Sequence, residues 1–460
     1  MVAASDSHKV SIFDLSSSTA SPICKTDPTS EIVDFSFGYD GASLLICSKD
    51  KHMRVFDPRQ SGNSAHSHST VAHKSNKNMH CLALGDTNNV LSVGQSMMRE
   101  REVSLWDIRS FSTPVQKERL DTSSGDLIPF FDVGTGLLFL VGRGDTNARI
   151  FEFSMEKLHP INNSGMGGSP VKNICMVPKR GLDIMDCEVV RMLKMTENSC
   201  VEPISYKIPR RDKHVFYEEL FPFAPKYEAA MTAEEYAKGG NKKPVLGSLN
   251  PAKVNSSDGG VGKGDEQKTG VVNAEATDEA RPLSSSATTN RVPSVRGLKS
   301  TSRYGNGTSQ YRNVYGKNLA KSESYFNLEP KISTMDTSLL AANESFFALP
   351  YKGGGGQVYV SKLSNTGKVE VNRPLLNTGH TKSVCALNFN RFDSHFLATG
   401  SDDCTVKLFN LNEDGAAIDA GLTLTGHRNR CVVGLHHTRI IINSIISGQH
   451  SNTLLFEQMH

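Results

Sequence analysis

The sequence predicts an all-β protein whose four-stranded antiparallel blades are arranged around a ring. Two observations support this prediction. Short apolar segments alternate with turns of Gly, Asp, Asn and Pro over the first 211 residues, and helical periodicity is nearly absent there. Several of these segments also end in one recurring pattern, and a repeat of about 40 to 45 residues with such an ending is typical of a blade of four strands.

The clearest strands are short runs of continuous or alternating apolar residues. They are Val33–Phe37, Ser43–Cys47, Met53–Phe56, Val90–Val93, Val103–Trp106, Leu137–Val141 and Ala148–Phe153. Their length and their spacing by turns favour antiparallel pairing of neighbours along the chain.

The recurring ending alternates apolar and polar residues and then places an aromatic residue before an acidic or amide residue. It occurs in Lys9–Asp14, His52–Asp57, Glu102–Asp107, Ala148–Glu152 and Thr405–Asn410. This ending is the closing part of a WD repeat, so the blades are predicted to form a β-propeller.

One stretch contains most of the polar network that is typical of a WD blade. A loop His, a strand Ser or Thr, a turn Asp and a strand Trp hydrogen-bond across such a blade and satisfy its buried polar groups. Three of these places are filled here, while the Trp place holds Phe409, which has no N–H. The predicted members are His380, Thr399 and either Asp402 or Asp403.

Composition and charge narrow the function classes. The net charge of +3 gives weak support for a nucleic-acid binder, so we expect no nucleic-acid partner. The polar start and the lack of an apolar run near the roughly 20 residues of a membrane helix predict no membrane insertion. Nine scattered cysteines without a Cys-x-x-Cys pair predict reduced thiols in the cytoplasm.

The character of the chain changes in its middle. Residues 239–307 are rich in Gly, Ser and Lys and almost lack aromatic residues, which predicts a disordered linker. The linker divides the chain into a first unit, residues 1–238, and a second unit, residues 308–460.

The first unit resembles the late blades of coronins, which are WD-repeat actin-binding proteins. The matching segments follow the family order: Leu120–Gly125, Pro129–Asp132, Gly142–Asp145, Val177–Leu182, Cys187–Arg191, Glu202–Ile204, Ile208–Arg211 and Phe216–Pro222. Thr232–Tyr236 is similar to the short extension that packs beneath a coronin propeller after its last blade.

The second unit resembles the start of a coronin propeller. Tyr311–Gly316 is similar to the N-terminal signature of the family, and Gly354–Val358, Gly379–His380 and Gly400–Asn410 follow in coronin order. The resemblance implies the long coronin type with tandem propellers, present here as a truncated or fragmentary form. Two arrangements are open: two separate arcs of blades, or one ring of permuted order closed by both units.

The resemblance also implies a function. Coronin-type proteins are scaffolds that bind filamentous actin, so it implies a regulator of actin organisation and vesicle trafficking in the cytoplasm and the cytoskeleton. Its partners would be actin filaments and other cytoskeletal or trafficking proteins. The alternative is a general WD-repeat scaffold that does not bind actin directly.

Basic residues in or near loops are the candidate actin contacts, because rigid scaffolds present binding residues on loops and actin filaments are acidic. The family uses a basic residue soon after its N-terminal signature, and the matching place here lies at or beside Glu329. The candidates are Lys179, Arg180, Arg210, Arg211, Lys213, Arg312 and Lys331.

The sequence predicts no enzyme and no catalytic, cofactor or metal site. Asp121–Gly125 resembles the turn of aspartic proteases, but no second such turn supplies the partner carboxylate. Two groups of possible metal ligands lack the spacing of known zinc sites: His66, His68 and His73, and Cys431 with His436 and His437.

Overall fold

The computed structural model describes most of the chain on both sides of the predicted linker. The described residues are 2–5, 9–13, 22–26, 30–59, 67–75, 77–212, 215–226, 230–251, 309–331, 339–353, 355–370, 374–390, 393–418, 421–425 and 432–434.

The first fifteen strands form three strands of blade 1 and all of blades 2, 3 and 4. Blade 1 begins with β1 (Val2–Ser5), β2 (Val10–Phe13) and β3 (Pro22–Thr26). Blade 2 contains β4 (Ile32–Phe37), β5 (Leu44–Ser48), β6 (His52–Phe56) and β7 (His68–Val71). Blade 3 contains β8 (His80–Ala83), β9 (Asn89–Gln95), β10 (Arg101–Asp107) and β11 (Gln116–Asp121). Blade 4 contains β12 (Leu127–Asp132), β13 (Leu137–Gly142), β14 (Asn147–Ser154) and β15 (Lys157–Gly165).

Blade 5 draws strands from both units. The first unit supplies β16 (Asn173–Val177), β17 (Glu188–Met195) and β18 (Val201–Lys207), followed by β19 (Ala224–Pro225), α1 (Ala233–Ala237) and β20 (Leu246–Gly247) outside the blade. The second unit adds β21 (Tyr315–Asn318) and β22 (Tyr325–Phe326), which both pair with β18.

The second unit then forms two more blades. Blade 6 contains β23 (Ala341–Ala342), β24 (Phe346–Pro350), β25 (Gln357–Lys362) and β27 (Leu376–Asn377), while β26 (Gly367–Lys368) pairs with β22 in parallel. Blade 7 contains β28 (Val384–Phe389), β29 (Phe396–Ser401), β30 (Val406–Asn410) and β31 (Leu422–Leu424). The last strand, β32 (Val432–Gly434), pairs with β1 in blade 1. In the described part of the chain, short 3-10 helices lie at Lys179–Gly181, Ile184–Asp186 and Lys321–Glu323.

The blades therefore comprise six four-stranded antiparallel sheets and one six-stranded sheet in the described part of the chain. The predicted all-β WD propeller is confirmed, and each of the seven predicted strands lies on an observed one. The WD ending forms the third strand of its blade, as β6, β10 and β30 show.

The ring is closed, which decides between the two open arrangements. First strands of neighbouring blades contact each other, for example β4 with β8, β8 with β12, and β23 with β28. At the end of the series, β32 in blade 1 contacts β28 and β29 in blade 7. Blades 1 and 2 share an apolar cluster that includes Val10 and Phe35. Packing of neighbouring blades against each other buries apolar surface between them.

The segment after blade 5 runs along the ring, and we call residues 230–251 the strap. Its helix buries Tyr236, whose hydroxyl donates to the Gly41 carbonyl at 2.9 Å. Lys243 forms an ion pair of 2.6 Å with Asp86 in blade 3, and Leu249 packs into the core of blades 4 and 5.

The strap overlaps the start of the predicted linker, residues 239–307. Residues 239–251 are packed on the ring, since β20 pairs with β19 and Leu249 is buried. The remaining linker residues, 252–307, lie outside the described residues. The division into units 1–238 and 308–460 remains a prediction, although β21 and β22 show that strands of the second unit complete blade 5.

Candidate protein-binding surface

Two of the candidate basic residues lie in the 3-10 turn after β16 and contact other parts of the fold. The side chain of Lys179 is 12% exposed, and its Nζ forms an ion pair with Asp132 and donates to the Val189 carbonyl at 2.6 Å. Arg180 is half-buried. Burial raises the pKa of Glu344, and the positive charge of Arg180 opposes that rise, so the two residues lie near each other. The ammonium group of Lys179 therefore has internal partners, which makes it less available to a partner protein than an exposed cation.

The candidates after β18 are more accessible. Arg211 is exposed, while Arg210 lies with its guanidinium 5.4 Å from the centre of the Tyr217 ring and 3.6 Å from Glu219. Lys213 lies outside the described residues. An exposed guanidinium, such as that of Arg211, is the type of group that a rigid scaffold can offer to an acidic partner.

The second unit contributes one candidate that is exposed and one that donates a hydrogen bond inside the fold. Arg312 is exposed just before β21, whereas Lys331 is half-buried and its Nζ donates to the Ser383 hydroxyl. Glu329, at the place where the family has a basic residue, is exposed. The basic character expected at this place is therefore not provided by residue 329.

The pairing of β18 with β21 brings candidates from the two units to one end of blade 5. Lys207 lies opposite Tyr315 in the antiparallel register. Arg211 follows Lys207 and Arg312 precedes Tyr315, so both leave the strand pair at the same end. We call Arg210, Arg211 and Arg312 the arginine end of blade 5. No single unit contains this group of residues.

The predicted polar network of blade 7 has a defined geometry. Nδ1 of His380 lies 3.0 Å from Asp403, and its Nε2 lies 2.9 Å from the Thr399 hydroxyl. Asp403, not Asp402, faces the ring of His380. Burial by itself would raise the pKa of Asp403, but hydrogen bonds from Thr405 and the Thr381 amide and the charge of His380 lower it to about 2. Burial lowers the pKa of His380, so the neutral imidazole is favoured.

Blade 3 contains a complete network that the sequence reasoning missed. His73 is buried and places its ring between Glu102 and the Ser92 hydroxyl, each at 2.9 Å, and the Trp106 indole N–H donates to Ser92 at 2.9 Å. A sequence signal existed: His73 precedes Ser92 by 19 residues, the same separation as His380 and Thr399. The acidic member escaped notice because Glu102 lies on β10 rather than in the turn before it.

The turn at Asp121 is an ion-pair centre. Arg101 is 1% exposed, and its guanidinium donates to Asp121 at 2.6 Å and to Asp145 at 2.8 Å. Arg149 also pairs with both carboxylates. Burial would raise the pKa of Asp121, but its hydrogen bonds from Arg101 and the Ser123 amide lower it. The carboxylate of Asp121 is thus favoured as an anion, and it and Asp145 form ion pairs with Arg101 and Arg149, which is a structural role.

The possible metal ligands do not form a centre where the structure describes them. His73 belongs to the blade 3 network, while His66, Cys431, His436 and His437 lie outside the described residues. Within the described ranges, no group of three or more His, Cys, Asp or Glu side chains could hold a metal ion. The only α-helix described, α1, has five residues, and none of the described helices is long and apolar enough to cross a membrane.

Family models match three parts of the chain. A domain of unknown function, DUF1899, matches residues 306–368, a type of WD40 repeat matches residues 201–244, and the WD domain, G-beta repeat, matches residues 373–410. These matches cover parts of blades 5, 6 and 7.

Curated relatives cover more of the sequence. Coronin-7 of Homo sapiens is 30% identical over 439 residues, which covers 86% of this chain and 46% of the relative. Coronin-2A of Mus musculus is 39% identical over 222 residues, which covers 48% of this chain and 41% of the relative. The chain thus spans less than half the length of the curated relatives it matches.

A solved structure supports the same relation. The WD40 domain of Toxoplasma gondii coronin superposes with a TM-score of 0.50 at 30% identity, covering 53% of this chain and 62% of that one. With the WD networks of blades 3 and 7 and the propeller fold, these similarities show that the chain belongs to the coronin family of WD-repeat proteins.

Proposed function

We propose that the protein is an actin-filament-binding scaffold of the coronin type that acts by binding rather than by catalysis. The observation that carries the proposal is the similarity to coronins along 86% of the chain. Organisation of actin filaments, a role in vesicle trafficking and a location in the cytoplasm at the cytoskeleton belong to the same proposal.

We place the filament contact at the arginine end of blade 5. Arg211 and Arg312 are exposed at one end of a strand pair that both units build, and Arg210 lies beside them. Guanidinium groups suit an acidic protein surface, because they form two parallel hydrogen bonds with a carboxylate. Lys179 and Lys331, in contrast, donate their ammonium groups to internal partners.

Cosedimentation with filamentous actin at several salt concentrations tests the proposal. Micromolar or weaker binding that falls as salt rises is expected, since exposed charges are screened beyond about 8 Å at physiological ionic strength. Folded protein that stays in the supernatant at low salt would contradict actin binding and would favour the general WD scaffold.

A pair of charge reversals tests the position of the contact. Arg211→Glu combined with Arg312→Glu should weaken binding to filamentous actin roughly tenfold. The two substitutions remove two exposed ionic contacts, each of which contributes about 1 kcal/mol or less. Lys74→Glu combined with Lys77→Glu, in an exposed loop of blade 3, makes the same change in net charge and should leave binding unchanged. Equal losses of actin affinity in both variants would show that binding depends on the overall charge of the protein and not on the arginine end of blade 5.

A further inference from the structure

Two buried cysteines from different blades meet at the junction of blades 2 and 3. Cys47 lies on β5, Cys81 lies on β8, and these two strands contact each other. Both residues carry free thiols, and they are 0% and 2% exposed within one apolar cluster. The two sulfur atoms therefore belong to separate sheets of the ring but to the same packed layer.

The side chain of Asp34 shows how close the two cysteines are. Asp34 pairs with Cys47 in the antiparallel register of β4 and β5, so the two side chains lie on the same face of blade 2. The backbone amide of Cys81 donates a hydrogen bond of 3.1 Å to the Asp34 carboxylate. The side chain of Cys47 therefore points toward the part of β8 that carries Cys81.

The two thiols also interact directly. A hydrogen bond with the Cys47 side chain is the largest cause that raises the pKa of the Cys81 thiol, and burial raises it further. The thiolate is the reactive form of cysteine, so a thiol held in its protonated form reacts slowly. We expect the pair to remain as two thiols until an oxidant is supplied.

The pair lies next to side chains that contact solvent. His80 directly precedes Cys81 and forms an ion pair of 3.1 Å with Asp34, and the side chains of His80 and Asp34 are 16% and 26% exposed. Because Cys81 is the direct neighbour of a partly exposed residue, it is the thiol that a small oxidant should reach first.

We propose that Cys47 and Cys81 are a reversible oxidation site, where a hydroperoxide converts the two thiols into a disulfide between blades 2 and 3. Hydrogen peroxide transfers one oxygen to the Cys81 sulfur, which yields a sulfenic acid and one water molecule. The Cys47 sulfur then attacks the Cys81 sulfur. The S–S bond forms, the S–O bond breaks, and the hydroxyl leaves as a second water molecule with the Cys47 proton. The two thiols lose two electrons, which the peroxide gains, and a thiol reductant reverses the change.

The disulfide would fix a junction that the strap already spans. Tyr236 of the strap donates to the Gly41 carbonyl in blade 2. Lys243 of the strap forms its ion pair with Asp86 in blade 3. A covalent bond between the same two blades closes residues 48–80 into a loop and restricts the unfolded chain, which stabilises the folded ring.

Peptide mapping of the full chain, treated with hydrogen peroxide under native conditions, tests the site. Cleavage after Lys and Arg places Cys47 in residues 26–49 and Cys81 in residues 78–99, so the disulfide joins two separate peptides. After alkylation of the remaining thiols, we expect these joined peptides as the main disulfide product, and dithiothreitol should separate them. Absence of the joined peptides, or a disulfide from either cysteine to a different one, would overturn the proposal.

Thermal unfolding measures the same bond independently. The oxidised wild type should have a Tm about 4 to 8 °C above that of the reduced protein. Cys47→Ala should abolish both the joined peptides and this difference between oxidised and reduced protein. Cys175→Ala, at a buried position between blades 5 and 6, is the matched control and should retain both. An equal Tm difference in Cys47→Ala would show that oxidation elsewhere causes it and would contradict the proposal.

Discussion

Two buried histidines stabilise their blades by the same arrangement of a hydroxyl and a carboxylate. His73 and His380 each join a loop to the second strand of a blade, and each is 2% exposed. The blade 3 network ends in the Trp106 N–H, while blade 7 has Phe409 in that position and lacks this donor. Buried polar groups cost free energy when a partner is lost, so these rings should be sensitive to substitution.

His73→Ala should destabilise the protein by about 2 kcal/mol. The change leaves the buried Ser92 and Glu102 without the imidazole, although Lys117 still contacts Glu102 at 2.7 Å. Urea unfolding followed by Trp106 fluorescence measures the loss. His159→Ala, on the exposed face of β15, is the matched control and should change the free energy of unfolding by less than about 0.5 kcal/mol. Similar values for both variants would contradict the buried network.

His380 should make the stability of the protein depend on pH. Burial holds the pKa of His380 below its ordinary value of 6.5, although the charge of Asp403 opposes this. The unfolded chain therefore binds a proton before the folded one as pH falls, and the contribution of His380 to stability decreases below about pH 7. The difference in free energy of unfolding between the wild type and His380→Gln should shrink from pH 7.5 to 5.5. A constant or growing difference would show that the histidine pKa is not depressed.

At the scale of elements, the strap fastens several blades through few contacts. The capping box of α1 joins Thr232 and Glu235, and Tyr236 on the next position is buried between the strap and blade 2. Arg59 of blade 2 adds a hydrogen bond of 2.9 Å to the Gly240 carbonyl and lies 5.6 Å from the centre of the Tyr236 ring. Tyr236 is therefore the anchor of the strap on this side of the ring.

Tyr236→Ala should cost about 3 to 5 kcal/mol, because a large buried ring is replaced by a cavity and the bond to Gly41 is lost. Tyr236→Phe removes the hydroxyl alone and should cost about 1 kcal/mol. Chemical denaturation gives both values, and limited proteolysis near residue 239 should accelerate in the alanine variant. An alanine variant as stable as the phenylalanine variant would show that the ring of Tyr236 packs weakly.

The elements that the sequence predicts well are those with local patterns. The third strands β6, β10 and β30 carry the WD ending, and the apolar runs of β5, β9 and β13 are long enough to recognise. Strand β21 has mostly polar residues and β22 has only two residues, and they form because β18 provides an edge for pairing. That edge comes from a distant part of the chain, which no local pattern records.

The candidate binding residues also depend on tertiary contacts that a local sequence pattern does not record. Lys179 and Arg211 look alike as basic loop residues, yet the ammonium group of Lys179 is paired with Asp132, and only Arg211 is exposed. Pairing of this kind depends on tertiary contacts between β12 and the turn after β16. The blade 7 network could be predicted because its His, Thr and Asp lie within one repeat.

At the scale of the whole molecule, the ring is closed twice by pairing between the two units. Blade 5 joins β18 of the first unit to β21 and β22 of the second, and blade 1 joins β1 to β32. Apolar clusters are shared by each pair of successive blades from blade 1 to blade 7, and β32 contacts β28 and β29 where blade 7 meets blade 1. Each unit therefore depends on the other for two of its blades, although the peptide connection between them runs through residues 252–308.

The protein should remain one particle when that connection is cut. A specific protease site placed after Gly270 allows cleavage between the units, and both closing blades should hold the fragments together, since Tyr311 and Val314 are buried in the core of blades 4 and 5. The cut protein should elute from a sizing column at the volume of the intact ring and separate only in denaturant. Val314→Asp should release the fragments after cleavage, because a charge then enters a fully buried site, whereas Arg312→Asp at an exposed neighbouring position should not. Elution of the wild-type fragments as two folded species, or their precipitation after cleavage, would mean that the two units do not form one ring in solution.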